Sequence, residues 1–225
     1  MIDSPLQDVR PPRTARFGSV VITTIALVAA TAGTFAVTSA ASRPSDATER
    51  PDEPARVATQ YCSGADAVAS GALDVTRAAL EFRQSLAVPL GATVTHGYSA
   101  ADAAALQAHG EATISTLFTD SATPFELQQL SSATAFDPGA AATSRALGGG
   151  VARLDCTSTS TDAGTTRIEA SADTWATTAQ VGHGRVAYAQ PTATVLVHAT
   201  VVVDPATGAQ RIASLSTRFA SGSGP

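Results

Sequence analysis

The sequence predicts an α+β protein: an N-terminal transmembrane helix, then two or three helices packed on a curved antiparallel sheet of four or five strands. Three observations predict this order. No residue from 17 to 42 carries a charge. Apolar side chains then recur every three or four residues, which is helical spacing. From Ala193 to Val203 apolar and polar side chains alternate, which is typical of a half-buried strand.

The N-terminal region has the charge pattern of a membrane protein. Residues 1–16 contain Arg10, Arg13 and Arg16, and the uncharged stretch 17–42 is long enough to cross a bilayer as a helix. Because cations mark the cytoplasmic side of a span, residues 1–16 are predicted to stay in the cytoplasm, with the C-terminal domain outside. Two alternatives remain open: a signal peptide cleaved near Ala40, which yields a secreted protein, or a buried core helix.

Composition divides the remainder of the chain into three parts. Residues 43–54 combine prolines with charges and are predicted to form a disordered tether. Residues 55–220 are predicted to form one extracytoplasmic domain. The Gly/Ser tail at 221–225 is predicted to be flexible.

Cys62 and Cys156 are the two cysteines of the chain. Outside the cytoplasm such a pair is expected to form a disulfide, which would link an early helix to a later strand. By loop entropy this bridge would stabilise the fold by roughly 4–5 kcal/mol. The alternative is two buried free thiols or one reactive thiol. Their separation matches neither a redox CxxC motif nor a zinc site.

The first half of the domain has helical periodicity. A first helix is expected to include Val68 to Leu86 and to be ended by Pro89 and Gly91, while Gly64 and Gly71 weaken it enough to allow a break. A second is expected over 100–118, capped by Ser99. A third short helix is expected over 124–133, followed by a turn at 137–139.

The second half has strand periodicity. Strands are expected at 151–159, 165–179, 185–190, 193–203 and 211–219. The first two would form a hairpin about Asp162–Gly164, and Leu215 and Phe219 would point inward. Gly148–Gly150 is expected to be a flexible join before the sheet.

This element order over residues 55–220 resembles the NTF2-like or cystatin-like architecture. Actinobacterial single-pass membrane proteins share it, among them Mce-associated proteins and VirB8-like conjugation components. The resemblance implies helices seated in a curved sheet and an accessory role in the cell envelope. The chain departs from the pattern because its last strand ends in Thr217-Arg218-Phe219 without a tryptophan.

Sequence motifs for catalysis or cofactor binding are lacking. The net charge is −5 with no basic stripe, which argues against nucleic acid as a partner. His96, His109, His183 and His198 are not in ligand spacing, so neither a metal nor a cofactor is expected. No Gly-x-Ser-x-Gly motif occurs, and an enzyme is not expected. The acidic side chains Asp102, Glu111, Asp120 and Glu126 are predicted to be solvated.

Trp175 is the single tryptophan and is out of phase with Ile168, Ala170 and Ala172. Either a bulge near residues 173–174 turns it into the core, or it lies on the outer face of the sheet. On the outer face, Trp175 and Tyr188 would be candidate contacts for a partner.

Three functions follow as hypotheses. The first is a non-enzymatic, membrane-anchored accessory or assembly protein of the cell envelope, which docks a protein partner or another copy of itself. The second is a small-molecule or lipid-binding module with a pocket between helices and sheet. The third is a hydrolase or isomerase in that pocket, which would need a histidine and a carboxylate with perturbed pKa values.

Overall fold

A computed structural model describes residues 49–86, 88, 94, 98–182 and 185–220. The predicted cytoplasmic segment, membrane helix and C-terminal tail lie outside these residues, as do His96 and His183. Within the described ranges, no helix combines the length and the apolar character needed to cross a membrane.

The described chain has helices first and antiparallel strands after them, so the predicted α+β class is confirmed. The helices are α1 (Ala67–Ser85), α2 (Ala100–Leu117), α3 (Thr123–Thr134) and α4 (Pro138–Thr143). The strands are β1 (Ser144–Asp162), β2 (Thr165–Gly182), β3 (Arg185–Ala189), β4 (Thr192–Val203) and β5 (Gln210–Phe219).

Side-chain caps fix the starts of the two long helices. The carboxylate of Asp66 accepts a hydrogen bond from the backbone N–H of Ala69 at the start of α1. At the start of α2, Ser99 and Asp102 form a reciprocal capping box. Gly71 does not break α1, which is continuous over it, and the absence of a Cβ there leaves room for the side chain of Gln210.

The region before the sheet differs from the prediction. Residues 138–143 form the short helix α4, for which Pro138 supplies a favourable first residue. β1 therefore begins at Ser144, and Gly148–Gly150 lie inside it, so the expectation of a flexible join was wrong. The physical reason is tertiary: each of these glycines lies against another part of the fold, described below.

The sheet order is β1-β2-β4-β5, and the last part of β2 pairs with β3. The predicted hairpin between β1 and β2 is confirmed, since Ala163 and Gly164 both adopt the positive φ of a tight turn. Three register shifts interrupt the β1–β2 pairing. Such bulges bend a strand and leave local backbone groups without ladder partners.

The core lies between α1 and the sheet. The largest fully buried side chains include Leu73, Leu80, Ile114, Phe118, Leu154, Ile168 and Ile212. The predicted alternation of β4 is confirmed, because Val195, Val197, Ala199 and Val201 are buried.

Phe219 is on the predicted face but is not buried. It pairs with Val195 in the sheet, yet it is 56% exposed, so its expected core position was wrong. As the last residue of an edge strand it has a neighbouring strand on one side only. Leu215, four residues earlier on the same face of β5, is buried as expected.

Candidate interaction surface at the edge of the sheet

The chain before α1 extends the edge of the sheet at β1. The backbone N–H of Val57 donates to the carbonyl of Ala152 at 2.8 Å, and that of Gln60 donates to Leu154 at 2.9 Å. In return, the N–H of Cys156 donates to the carbonyl of Gln60 at 2.9 Å. Residues 56–61, named the edge segment here, therefore lie along β1, with one parallel bridge between Gln60 and Asp155.

A disulfide holds the edge segment in place. Cys62 is bonded to Cys156 of β1, and the two Cα atoms lie 5.0 Å apart. The predicted pairing is thereby confirmed. The bridge attaches the turn before α1, rather than a helix, to the sheet, since α1 begins only at Ala67.

The buried guanidinium of Arg77 joins α1 to the edge segment. Only 5% of this residue is exposed. Its Nη1 donates to the carbonyl of Val57 at 2.9 Å, and its Nη2 donates to the carbonyl of Val151 at 2.9 Å. Val151 stands at a bulge of β1, where the ladder is interrupted. Arg77 thus supplies donors that the bulge removes, while its Nε pairs with Glu81 at 3.0 Å.

Between the edge segment and α1 lies an open groove of about 420 Å³. Its lining consists of Arg56, Val57, Ala58, Thr59, Asp74, Arg77, Ala78 and Glu81. The charges of the lining are balanced, and Arg56 forms an ion pair with Glu81 at 2.8 Å. Two apolar side chains of the edge segment face solvent, Val57 at 50% and Tyr61 at 45% exposed.

Tyr61 is linked to α1 across the end of this groove. Its hydroxyl donates a 2.8 Å hydrogen bond to the carboxylate of Asp74. This hydrogen bond, with a smaller contribution from burial and from the negative charge of Asp74, raises the pKa of Tyr61 above its ordinary value.

The middle of the edge segment has unpaired backbone groups. Among the residues that the structure describes, the main-chain N–H and C=O groups of Ala58 and Thr59 have no hydrogen-bond partner. Unpaired main-chain groups beside the edge of a sheet are the feature to which another extended chain can bind.

Trp175, one of the two predicted partner contacts, is buried although it lies on the outer face of the sheet. It pairs with Gly150 of β1. A Cβ on Gly148 or Gly150 would stand 3.1–3.2 Å from the indole ring, whereas one on Gly149 would overlap the carbonyl oxygen of Gln84 in α1. The ring therefore lies on the side of β1 opposite to α1. Trp175 is 8% exposed, so it is not an accessible contact. No bulge interrupts the pairing of Trp175 with β4.

Residues 49–54, named the strap here, contact the domain beside this outer-face site. Arg50 donates to the carbonyl of Leu147 at 3.0 Å, and Gln190 donates to the carbonyl of Asp52 at 3.0 Å. The Glu53 carboxylate lies 3.6 Å from the position of a Gly148 Cβ. The predicted tether over 43–54 is thus not wholly free of the domain, because its last residues contact the sheet.

Tyr188, the second predicted contact, is half-buried. It pairs with Ala179, four residues along β2 from Trp175. The two aromatic residues lie on the same face of the sheet but are not brought into one cluster.

Two further pairs of ionisable residues lie away from the groove. On the outer face, His198 lies 3.7 Å from Glu169, and both side chains are exposed. Glu126 is 3% exposed and forms an ion pair with Arg83 of α1, so its predicted solvation was wrong. Arg83 and Glu126 are 43 residues apart along the chain, so no local sequence pattern indicates that they pair. Within the described ranges, no three His, Cys, Asp or Glu side chains are grouped as metal ligands.

The groove opens beside α1 at the edge of the sheet, whereas the second hypothesis placed a pocket between helices and sheet. There, Leu73 and Leu80 of α1 and Leu154 and Ile168 of the sheet are each less than 2% exposed.

Comparisons with known proteins return little. No protein-family model matches the chain, and no curated protein is similar to it. Among solved structures, the intermembrane space region of the chloroplast protein ARC6 is similar, with 11% sequence identity and a TM-score of 0.43. The match covers 69% of this chain and 98% of that one.

Proposed function

We propose that the chain is a non-enzymatic accessory protein of the cell envelope, held at the outer side of the cytoplasmic membrane by residues 17–42. Its domain binds an extended segment of a protein partner along the groove. The observation that carries this proposal is the Cys62–Cys156 disulfide, which supports an oxidising compartment and fixes the edge segment beside α1.

The chemistry of the groove favours a polypeptide over a small ligand. Ala58 and Thr59 have unpaired main-chain donors and acceptors, which the backbone of an extended segment can pair with. Val57 and Tyr61 offer apolar surface for alternate side chains of that segment. The balanced charges of the lining do not select an anionic or cationic ligand.

The location can be tested by thiol chemistry on the full-length protein in cells. We expect Cys62 and Cys156 to remain unlabelled by a maleimide reagent until a reductant is added. We also expect protease added outside spheroplasts to cleave the C-terminal domain. A soluble cytosolic protein whose thiols react without reductant would contradict the proposal.

The docking surface can be tested by site-specific photo-crosslinking in the full-length protein. A photoreactive residue in place of Val57 or Tyr61 is expected to yield a crosslinked product of one discrete mass, and the same residue in place of exposed Ala108 on α2 is not. The identified product should then bind the purified protein less tightly when Ala58 is replaced by proline. Crosslinking of equal yield from Ala108, or unchanged binding by Ala58→Pro, would contradict the proposed groove.

A further inference from the structure

We infer that the strap, residues 49–54, is a releasable cover that couples the reach of the domain from the membrane to the exposure of Trp175. The strap immediately precedes the paired edge segment and leads back towards the predicted span. The part of this inference that concerns reach rests on the proposed function. The part that concerns the cover rests on the described residues alone.

The way the strap is held differs from the way the edge segment is held. The edge segment has backbone hydrogen bonds with β1 and a disulfide beside it. The strap has no backbone-to-backbone hydrogen bond with described residues. Its two hydrogen bonds to the rest of the domain, one to β1 and one to the connection between β3 and β4, use the side chains of Arg50 and Gln190. The Arg50–Glu53 ion pair at 3.4 Å is exposed. The strap can therefore detach while the sheet stays paired.

The surface under the strap has no protruding side chains from β1. Gly148 and Gly150 have no side chains, so the indole of Trp175 lies directly on β1. Beside it, the buried Thr177 accepts a hydrogen bond from Gln190 at 2.9 Å, and the same Gln190 amide binds Asp52. Loss of the strap would expose the indole of Trp175 and the neighbouring Thr177 to water. The covered state is therefore the more stable one unless a force on the tether or a competing ligand displaces the strap.

Release has a defined geometric consequence. An extended chain spans at most ~3.3–3.6 Å per residue, so the freed strap adds about 20 Å to the connection between domain and membrane. Pro51 and Pro54 prevent the freed segment from shortening into a helix. The domain thus has a short-reach state with Trp175 covered and a long-reach state with Trp175 exposed.

The single tryptophan allows a direct test in the full-length protein. We expect Arg50→Ala combined with Gln190→Ala to shift Trp175 emission to longer wavelength and to raise its quenching constant with acrylamide at least twofold. Gln190→Ala alone should give a smaller change of the same sign. The control is Arg56→Ala, which removes an exposed arginine that pairs with Glu81 outside the strap. Unchanged quenching in the double variant, or an equal rise in the control, would overturn the inference. Far-UV circular dichroism confirms that each variant is folded.

Energy transfer from Trp175 to a dansyl-labelled lipid tests the reach in reconstituted vesicles. The double variant is expected to show lower energy transfer than the wild-type protein. If the double variant shows raised acrylamide quenching but the same energy transfer as the wild type, the longer reach is overturned. Failure of the protein to sediment with the vesicles would contradict the membrane placement of the proposed function, while the quenching result still decides whether the strap is a releasable cover.

Discussion

Nη2 of Arg77 in α1 donates a 2.9 Å hydrogen bond to the carbonyl oxygen of Val151, at a bulge of β1. The same guanidinium donates to Val57, so one buried cation connects a helix, a strand and the edge segment. The stability of the groove therefore depends on this residue more than on any exposed charge of its lining.

Arg77→Met is expected to lower the free energy of unfolding by about 2–4 kcal/mol, because it leaves the buried carbonyl of Val151 and the part-buried carbonyl of Val57 without their donor. Urea denaturation followed by circular dichroism measures the change. Arg56→Met is the control, since its ion pair is exposed and should contribute less than about 1 kcal/mol. Equal losses in the two variants would contradict the role assigned to Arg77.

Gly149→Ala is expected to destabilise the fold by about 1–3 kcal/mol, because the added methyl group would overlap the backbone carbonyl of Gln84, which cannot rotate away. Gly182→Ala is the matched control: a Cβ there meets nothing within 4 Å, so stability should be unchanged or slightly higher. Thermal unfolding of both variants distinguishes the two positions. A Gly149→Ala protein as stable as the wild type would refute the close approach of β1 and α1.

Replacement of Cys62 and Cys156 by serine is expected to lower stability by about 4–5 kcal/mol, because the bridge closes a loop across a sequence separation of 94 residues. Wild-type protein unfolded in the presence of reductant should match the double variant unfolded without it. If the denaturation midpoint of the wild-type protein is the same with and without reductant, the disulfide is either absent or without effect on stability, and the prediction fails.

Arg83→Met is expected to cost about 3–5 kcal/mol, since the carboxylate of Glu126 then stays buried without its partner. The double variant Arg83→Met with Glu126→Leu should recover much of that loss, because two apolar side chains can pack where the ion pair stood. A double-mutant cycle in urea measures the coupling. Additive losses would mean that the two residues act independently.

The hydrogen bond from Tyr61 to Asp74 predicts an effect at alkaline pH. Because the pKa of Tyr61 is raised in the folded protein, this interaction stabilises the fold fully below the ordinary tyrosine pKa of about 10 and is lost as the pH rises through the raised value. Asp74→Asn should lower the pKa of Tyr61, as measured by ultraviolet titration of the phenolate. Tyr98, whose pKa is raised by burial and then by Asp102, should keep its titration and serves as the internal control.

Local patterns were enough to predict the elements whose signals are local. The Ser99 cap and helical spacing predicted α2, and alternation predicted β4 with its inward residues. The turn at Asp162–Gly164 was predicted by its glycine and short loop length. In each case the determining contacts lie within a few residues of one another.

The contacts between distant segments could not be predicted in this way. The glycines at 148–150 were interpreted as a loop, because only the fold reveals that Trp175 and Gln84 approach β1 so closely. The groove likewise depends on Arg77 and the edge segment, which are 20 residues apart along the chain. The cysteine pair was predictable, since cysteine use depends on compartment rather than on local conformation.

Burial changes sides along β2, and this has a consequence for cooperativity. Up to Thr174 the strand buries its even-numbered side chains towards α1, and from Trp175 to Ala179 it buries odd-numbered ones on the opposite side. One continuous backbone thus has buried side chains on both faces, the main core on one and Trp175, Thr177 and Ala179 on the other. Because unpairing of the middle of β2 would expose both sets at once, this part of the strand should be the last of the domain to open to solvent.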